Sequence, residues 1–229
     1  MTVAKETVDT EEGAPQVRVR RPSAVVRGLL LDSARTLFAT RGYAGASTRE
    51  IAEQAGVREA LIFRHFGNKA GLFRAAVVDP FRGIIEGFVD DWEATHESNT
   101  MSTYELTGAW ITSLHALMHE HRELVVALIT ANAFEDEADP DGVPITDAFA
   151  RPIRRLEKFT RREMAGRGLS GDPTISVRAT FGMVMAMAVL DDWFFAGVTR
   201  RPPAEAVTTE MTDLVVGGIT RLPNGAWTG

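Results

Sequence analysis

Five polar side chains between positions 48 and 69 have the chemistry to bind a nucleic acid. They are Thr48, Arg58, Arg64, His65 and Lys69. Arginine and lysine pair with phosphate oxygens, and an arginine can also donate two hydrogen bonds to the edge of a guanine. Threonine and histidine add further hydrogen-bond donors to phosphate. A set of this kind is typical of proteins that hold the DNA backbone while they read the bases.

Two short helices with a glycine between them are predicted to position these side chains. Ser47 and Thr48 can cap a first helix that ends at Ala55 and Gly56. A second helix is expected over about 58–66, and we expect a positive φ at Gly56, which supplies the turn. The apolar residues able to face inward are Ile51, Ala52, Ala55, Val57, Ile62 and Phe66. The pattern predicts a helix-turn-helix whose outward face can enter a major groove.

The apolar pattern of the remaining sequence predicts an all-α chain of about nine helices. No run of alternating apolar and polar residues indicates a strand. A first helix is expected to begin at Ser23 and to stop at Gly42. A long fourth helix is expected to begin at Lys69 after an Asn68 cap and to bend at Pro80. Further helices are expected over 102–120, 122–135, 144–166, 173–196 and 203–220.

Charge divides the chain in the same way as the predicted domains. The net charge is -6, yet residues 18–75 carry +7 and residues 76–229 carry -10, so a polyanion is attracted only to the first part. Residues 1–21 are predicted to form a disordered tail. It ends in three arginines that either enter a minor groove or remain ordinary tail charges: Arg18, Arg20 and Arg21. The predicted domains are this tail (1–21), a three-helix DNA-binding domain (22–68), and a helical ligand-binding and dimerisation domain (69–229).

The composition excludes several classes of protein. The sequence has no cysteine, so neither a disulfide scaffold nor a thiolate metal site can form. Residues 1–15 lack the apolar core of a secretory leader, and no stretch reaches the roughly 18 consecutive apolar residues of a membrane span. We therefore expect a cytoplasmic protein with no membrane partner.

Residues 25–75 resemble the amino-terminal domain of the TetR family of transcriptional regulators. The resemblance rests on Ala34, Phe38, Gly42, Tyr43, Thr48, Ile51, Ala52, Ala55, Gly56, Val57, Phe66, Lys69 and Leu72. It implies that Thr48 and His65 touch phosphates and that Lys69 holds another phosphate at the start of the fourth helix. It also implies that the second helix faces the bases with Arg58, Glu59, Ala60, Leu61, Phe63 and Arg64.

Three positions depart from the usual pattern of the family. Phe63 replaces a common tyrosine, Arg58 stands where a small hydroxyl residue is usual, and Glu59 is acidic. Phe63 lacks the tyrosine hydroxyl that can bind phosphate, whereas Glu59 can accept a hydrogen bond from a cytosine amino group. The departures change which bases this chain is expected to read.

The acidic second domain carries bulky, adaptable side chains at helical spacing. Such side chains usually form a core, but the resemblance implies a pocket within the bundle, and methionine with flat aromatic rings suits an apolar ligand. We predict that an apolar or acyl-type effector contacts Trp110, Leu114, Met118, Phe134, Phe159, Met183, Met187, Trp193 and Phe194.

Two further patterns in this domain have alternative interpretations. His115 and His119 share a helix face and could bind a metal, but no third ligand is evident, so we expect no metal and no cofactor. A basic row can hold a phosphate-bearing ligand such as an acyl-coenzyme A, and consists of Arg151, Arg155, Lys158 and Arg162. We favour the alternative that this row is a solvated face paired with Glu157 and Glu163.

The helices predicted over 173–196 and 203–220 are apolar over more of their circumference than one core face needs. By resemblance they pair with their copies across a two-fold axis, and the alternative is burial within the monomer. We expect a homodimeric repressor that an effector releases from its operator. The alternatives are an activator of the same family or, from another class, an enzyme or a ligand carrier. No Ser-His-Asp order or glycine-rich phosphate loop is visible, and we expect no enzymatic activity.

Overall fold

The computed structural model describes residues 21–96, 100–132 and 147–220. Within these ranges it contains helices and no strand, which confirms the predicted all-α fold. Ten helices follow one another there: α1 (Ser23–Gly45), α2 (Thr48–Gln54), α3 (Ala60–Phe66), α4 (69–96), α5 (Thr103–Glu120), α6 (Arg122–Asn132), α7 (Asp147–Arg167), α8 (Pro173–Val189), α9 (Asp191–Phe194) and α10 (Ala204–Thr220). The predictions for Arg18, Arg20 and Phe134 lie outside the described residues.

Within the same ranges, no helix is both long and apolar enough to cross a membrane.

Two helix boundaries show how local sequence sets the fold. Gly42 interrupts the helical geometry of α1 with φ +70° and ψ 174°, at the residue where the pattern predicts the stop. A single helix over 173–196 was a wrong prediction, because Leu190 leaves helical geometry with φ -107° and ψ 19°. The short helix α9 therefore follows α8 as a separate element.

The long helix α4 contains a wide turn just before Pro80. The backbone N–H of Asp79 donates to the carbonyl oxygen of Arg74, five residues earlier, and residues Arg74–Val78 form a π-helical turn. Proline has no N–H and its ring crowds the preceding turn of a helix, so a wider turn accommodates it. The sequence predicts that Pro80 disturbs this helix, and the structure shows the disturbance as the π-helical turn that precedes it.

One continuous apolar core connects the helix-turn-helix to the carboxy-terminal bundle. Helix α1 packs on α6 and α4, α4 packs on α7, and α5 packs on α8 and α10. The largest side chains of this core have no exposed surface; among them are Leu30, Phe38, Ile51, Ile62, Leu114 and Met118. Because α4 starts beside the helix-turn-helix and ends in the bundle, it is one element through which the two parts can influence each other.

Candidate nucleic-acid interface and ligand cavity

A reciprocal cap fixes the start of α2. The hydroxyl of Ser47 accepts the backbone N–H of Glu50, and the Glu50 carboxylate accepts the backbone N–H of Ser47. Arg41 adds an ion pair, with its Nη1 2.6 Å from Glu50 Oε1. Hydrogen bonds from Ser47 and Arg41 hold the pKa of Glu50 below its ordinary value. The predicted cap at Ser47 is confirmed, and it sets where α2 begins.

The turn between α2 and α3 has the predicted positive φ, +64° at Gly56. It brings Ile51 and Ala52 of α2 against Ile62 of α3, and all three side chains are buried. One side of α3 is thereby committed to packing, which leaves its other side toward solvent.

The outward side of α3, with the turn that leads into it, carries the side chains that the sequence predicts to face bases. Four of them are exposed and are called the recognition face below: Arg58, Ala60, Phe63 and Arg64. Three others are half-buried: Glu59, Leu61 and His65. Phe63 is 50% exposed, which is unusual for so large an apolar side chain. Over the described ranges neither arginine of this face is paired with a carboxylate, so both charges are available to an external anion.

A hydrogen bond between the two helices was not anticipated from the sequence. Thr48 Oγ1, at the start of α2, donates to Glu59 Oε1 in the turn that leads into α3, at 2.5 Å. The two residues are 11 positions apart, and helical periodicity within one element does not relate them. The sequence analysis predicts that Thr48 and Glu59 contact DNA separately, whereas in the structure their side chains are hydrogen-bonded to each other.

Lys69 begins α4 directly beside the helix-turn-helix. Its Nζ lies 4.4 Å from the centre of the Tyr43 ring, a cation–π contact, and burial lowers the pKa of Lys69. The side chain of Asn68 accepts the backbone N–H of Gly71 at 2.7 Å and caps the helix as predicted. The first residue of this long helix therefore adds a full positive charge to the positive end of the helix dipole.

A cavity of about 110 Å³ lies among α4, α5, α7, α8 and α10. We call it the bundle cavity. Its apolar wall includes Trp92, Leu106, Trp110, Leu156, Phe159 and Met164. Hydroxyl groups from several helices also line it, namely those of Thr103, Thr107, Thr160, Ser176 and Thr180. The mixture can bind an apolar molecule that carries a few hydrogen-bonding groups.

Of the nine predicted effector contacts, the structure brings only Trp110 and Phe159 to the wall of the bundle cavity. Leu114 and Met118 lie one and two turns further along α5, in the main core. The half-buried Met183 and Met187 also pack against that core. The other two described residues, Trp193 and Phe194 in α9, are 78% and 56% exposed and do not line the bundle cavity. The sequence pattern did not identify Trp92 as a residue of the cavity wall. Its position there depends on how α4 packs against the other helices of the bundle.

A cleft of about 380 Å³ adjoins the bundle cavity and shares the Phe159 side chain with it. Arg155 bonds to Asp90 at 2.5 Å and to Glu93 at 2.6 Å, both on α4. Arg151 lies 3.6 Å from Glu86 of the same helix. The expected pairing of this basic row with Glu157 and Glu163 was therefore wrong for both arginines. Those two carboxylates pair instead with Arg161, Arg178 and Arg167.

The two histidines of α5 stack on each other. The rings of His115 and His119 are nearly parallel, with centroids 6.3 Å apart, and His119 Nδ1 lies 3.4 Å from the Ala188 carbonyl oxygen. Burial and the neighbouring His119 lower the pKa of His115, against a smaller opposing effect of Asp191. No group of three or more metal-ligating side chains occurs in the part of the chain that the structure describes.

The surfaces of α8 and α10 retain large apolar side chains toward solvent. Ile175 is 66% exposed and Leu214 is 62% exposed. On its other side α10 packs on α5 through the buried Thr208 and Thr212. The two helices therefore each have one face in the monomer core and at least one large apolar side chain exposed outside it.

Comparison with known proteins relates this chain to bacterial transcription regulators. Residues 30–76 match the family model described as bacterial regulatory proteins, tetR family. The transcriptional repressor KstR2 of Mycolicibacterium smegmatis is 28% identical over 196 residues, which cover 85% of this chain and 91% of that protein.

Two solved structures share the fold. The ketosteroid transcriptional regulator KstR2 of Mycobacterium tuberculosis superposes with a TM-score of 0.61 and 20% identity, over 86% of this chain and 95% of its own. The regulator FadR of Bacillus subtilis, in complex with stearoyl-CoA, superposes with a TM-score of 0.59 and 16% identity, over 84% of this chain and 98% of its own.

Proposed function

We propose that this chain, whose residues 30–76 match the model of the tetR family of bacterial regulatory proteins, is a cytoplasmic, homodimeric repressor of transcription. It binds a duplex operator through the recognition face and leaves it when a largely apolar effector fills the bundle cavity. The observation that carries the proposal is a pair of exposed arginines beside Lys69: Arg58 in the turn before the short helix α3, and Arg64 on that helix. The proposal assigns DNA binding to residues 22–68 and effector binding and dimerisation to residues 69–229.

Base contacts come from the recognition face and the side chains between its members. Arg58 and Arg64 suit guanine edges, and Glu59 suits an exocyclic amino group. Ala60, Leu61 and Phe63 offer apolar contact to a thymine methyl group. Backbone contacts are assigned to His65 and Lys69, since the amino end of α4 favours an anion and Lys69 adds a full positive charge there.

Dimerisation is assigned to α8 and α10. Their exposed apolar residues, such as Ile175 and Leu214, are suited to burial against the same helices of a second copy. A two-fold dimer places two recognition helices about 34 to 36 Å apart, which matches successive major grooves on one side of B-DNA.

The effector is proposed to act by enlarging the bundle cavity. Its volume of about 110 Å³ is well below the roughly 300–1,000 Å³ of pockets that bury small ligands. Trp92 of α4 forms part of the wall, so a ligand that pushes the wall outward also moves the helix that begins at Lys69. An effector that prefers the enlarged form shifts the population away from the DNA-binding form. One of the two similar structures holds stearoyl-CoA, whose acyl chain is apolar, and the other is a ketosteroid transcriptional regulator; both support this class of effector.

Operator binding is tested by selecting duplexes from a randomised pool with the purified full chain and measuring affinity for the selected sequence. We expect one palindromic sequence to be enriched and bound far more tightly than random duplex. A chain that enriches no sequence at modest ionic strength contradicts the proposal.

Effector release is tested on the selected operator with stearoyl-CoA and with a ketosteroid as probes. At least one probe should weaken operator binding by the wild-type chain. Thr107→Phe, which fills the bundle cavity, should keep operator affinity and lose the response. Thr112→Phe, at an exposed position of the same helix, should keep both. An unchanged response of Thr107→Phe moves the effector site elsewhere.

A further inference from the structure

We propose that Thr48 governs sequence specificity by holding the carboxylate of Glu59 in position, rather than by binding a phosphate. The inference rests on the proposed DNA-binding function and adds a role for one residue within it. In this view Glu59 reads a base pair that presents an amino group in the major groove, and Thr48 is its positioning residue.

The argument begins with the single proton of the Thr48 hydroxyl. An ionised carboxylate has no proton to donate, so Thr48 Oγ1 is the donor of the 2.5 Å bond to Glu59 Oε1. Phosphate oxygens at neutral pH are also acceptors. A hydroxyl that donates to Glu59 therefore has no second proton with which to bind the DNA backbone.

The position of Glu59 supports the same conclusion. Its backbone carbonyl accepts the N–H of Ile62 at 2.8 Å, so it lies in the turn that starts the recognition helix. Residues at this end of a recognition helix are the ones that contact base edges. A carboxylate there is repelled by the DNA backbone unless it is aimed at a hydrogen-bond donor.

The hydrogen bond from Thr48 holds the Glu59 carboxylate in one orientation. Oε1 is occupied by Thr48, while no partner for Oε2 is found in the described ranges, which leaves Oε2 to accept from an amino group. Cytosine N4 and adenine N6 are the amino groups exposed in the major groove.

The experiment compares affinities for three kinds of duplex: the operator selected by the wild-type chain, versions with each half-site base pair replaced in turn, and a random sequence. The proteins are wild type, Thr48→Val, Thr48→Ser, Glu59→Ala and the double variant Thr48→Val/Glu59→Ala. Thr48→Val keeps the branched shape without the hydroxyl, and Thr48→Ser keeps the hydroxyl. Thermal unfolding of each variant establishes that it is folded.

We expect Thr48→Val and Glu59→Ala to lose discrimination at the same base pair, by roughly tenfold, within the range of a single base contact. The double variant should lose no more than either single variant, because the two residues act as one unit. Thr48→Ser should retain discrimination. Affinity for random duplex should not change in Thr48→Val.

Two results overturn the inference while leaving the proposed function intact. A loss of affinity that is equal for all duplexes, the random one included, identifies Thr48 as a phosphate contact. Unchanged discrimination in Thr48→Val gives it no part in specificity. A wild-type chain that selects no sequence overturns the proposed function, and this inference with it.

Discussion

The two exposed arginines at α3 and in the turn before it, and four of the arginines of α7, lie in opposite electrostatic surroundings. Arg58 and Arg64 are exposed and have no carboxylate partner in the described part of the chain. On α7 the paired arginines are Arg151, Arg155, Arg161 and Arg167. A cation already neutralised within the chain contributes little to the attraction of a polyanion. The partners of basic residues, more than their number, therefore indicate which helix meets DNA.

The largest effect is expected at the junction between α3 and α4, which holds α3 in its outward position. A Cβ at Gly71 would lie 2.1 Å from the carbonyl oxygen of Phe66, so Gly71→Ala forces α3 and α4 apart. We expect the free energy of unfolding to fall by about 3 kcal/mol, measured by denaturant unfolding.

Gly87→Ala is the matched control in the part of α4 that faces the bundle. No atom lies within 4 Å of a Cβ at this position, so the change should stabilise the helix by about 0.5–1 kcal/mol. Equal effects of the two substitutions would show that the α3–α4 junction is not unusually close.

The next largest effect is expected from removing the exposed arginines of the recognition face. Arg58→Ala and Arg64→Ala should each weaken binding to the selected operator by about 2 kcal/mol, roughly 30-fold, because each removes a contact to a base edge. Their free energies of unfolding should remain close to that of the wild type. Arg161→Ala, which removes a paired arginine of α7, is the control, and a similar loss of operator affinity in this variant would contradict the distinction between the helices.

A smaller effect is expected from the paired arginine. Arg155→Ala leaves Asp90 and Glu93 without their common partner, and since the network is partly exposed the unfolding free energy should fall by about 1 kcal/mol. Operator affinity without effector should not change. Loss of operator affinity without loss of stability would place Arg155 among the DNA contacts.

The smallest effect concerns His115 in the bundle. Burial and His119 lower its pKa in the folded chain below the ordinary value of 6.5, so below that pH the unfolded chain binds more protons than the folded one. Stability should therefore fall as the pH drops below about 6.5. His115→Gln should show a weaker dependence in urea unfolding at pH 7.5 and 5.5, and identical pH dependence in the two proteins would contradict the assignment.

The helix-turn-helix could be predicted from sequence because its determinants are local. Ser47 and Glu50 are three positions apart, and Gly56 alone sets the turn. The Thr48–Glu59 bond spans two helices and escaped the pattern.

The bundle could be predicted only as a set of helices. Arg155 and Asp90 are 65 positions apart, so the pairing of α7 with α4 depends on tertiary packing that periodicity does not contain. Side-chain type likewise did not separate Trp110, which lines the bundle cavity, from Trp193, which is exposed.

The salt dependence of operator affinity tests most directly whether the cations next to α3, and not the paired arginines of α7, contact the DNA backbone. The logarithm of the association constant should fall linearly with the logarithm of salt concentration, and Lys69→Ala should reduce that slope by about 0.9. Arg155→Ala should leave the slope unchanged. An unchanged slope in Lys69→Ala, or an equal reduction in Arg155→Ala, would contradict the account.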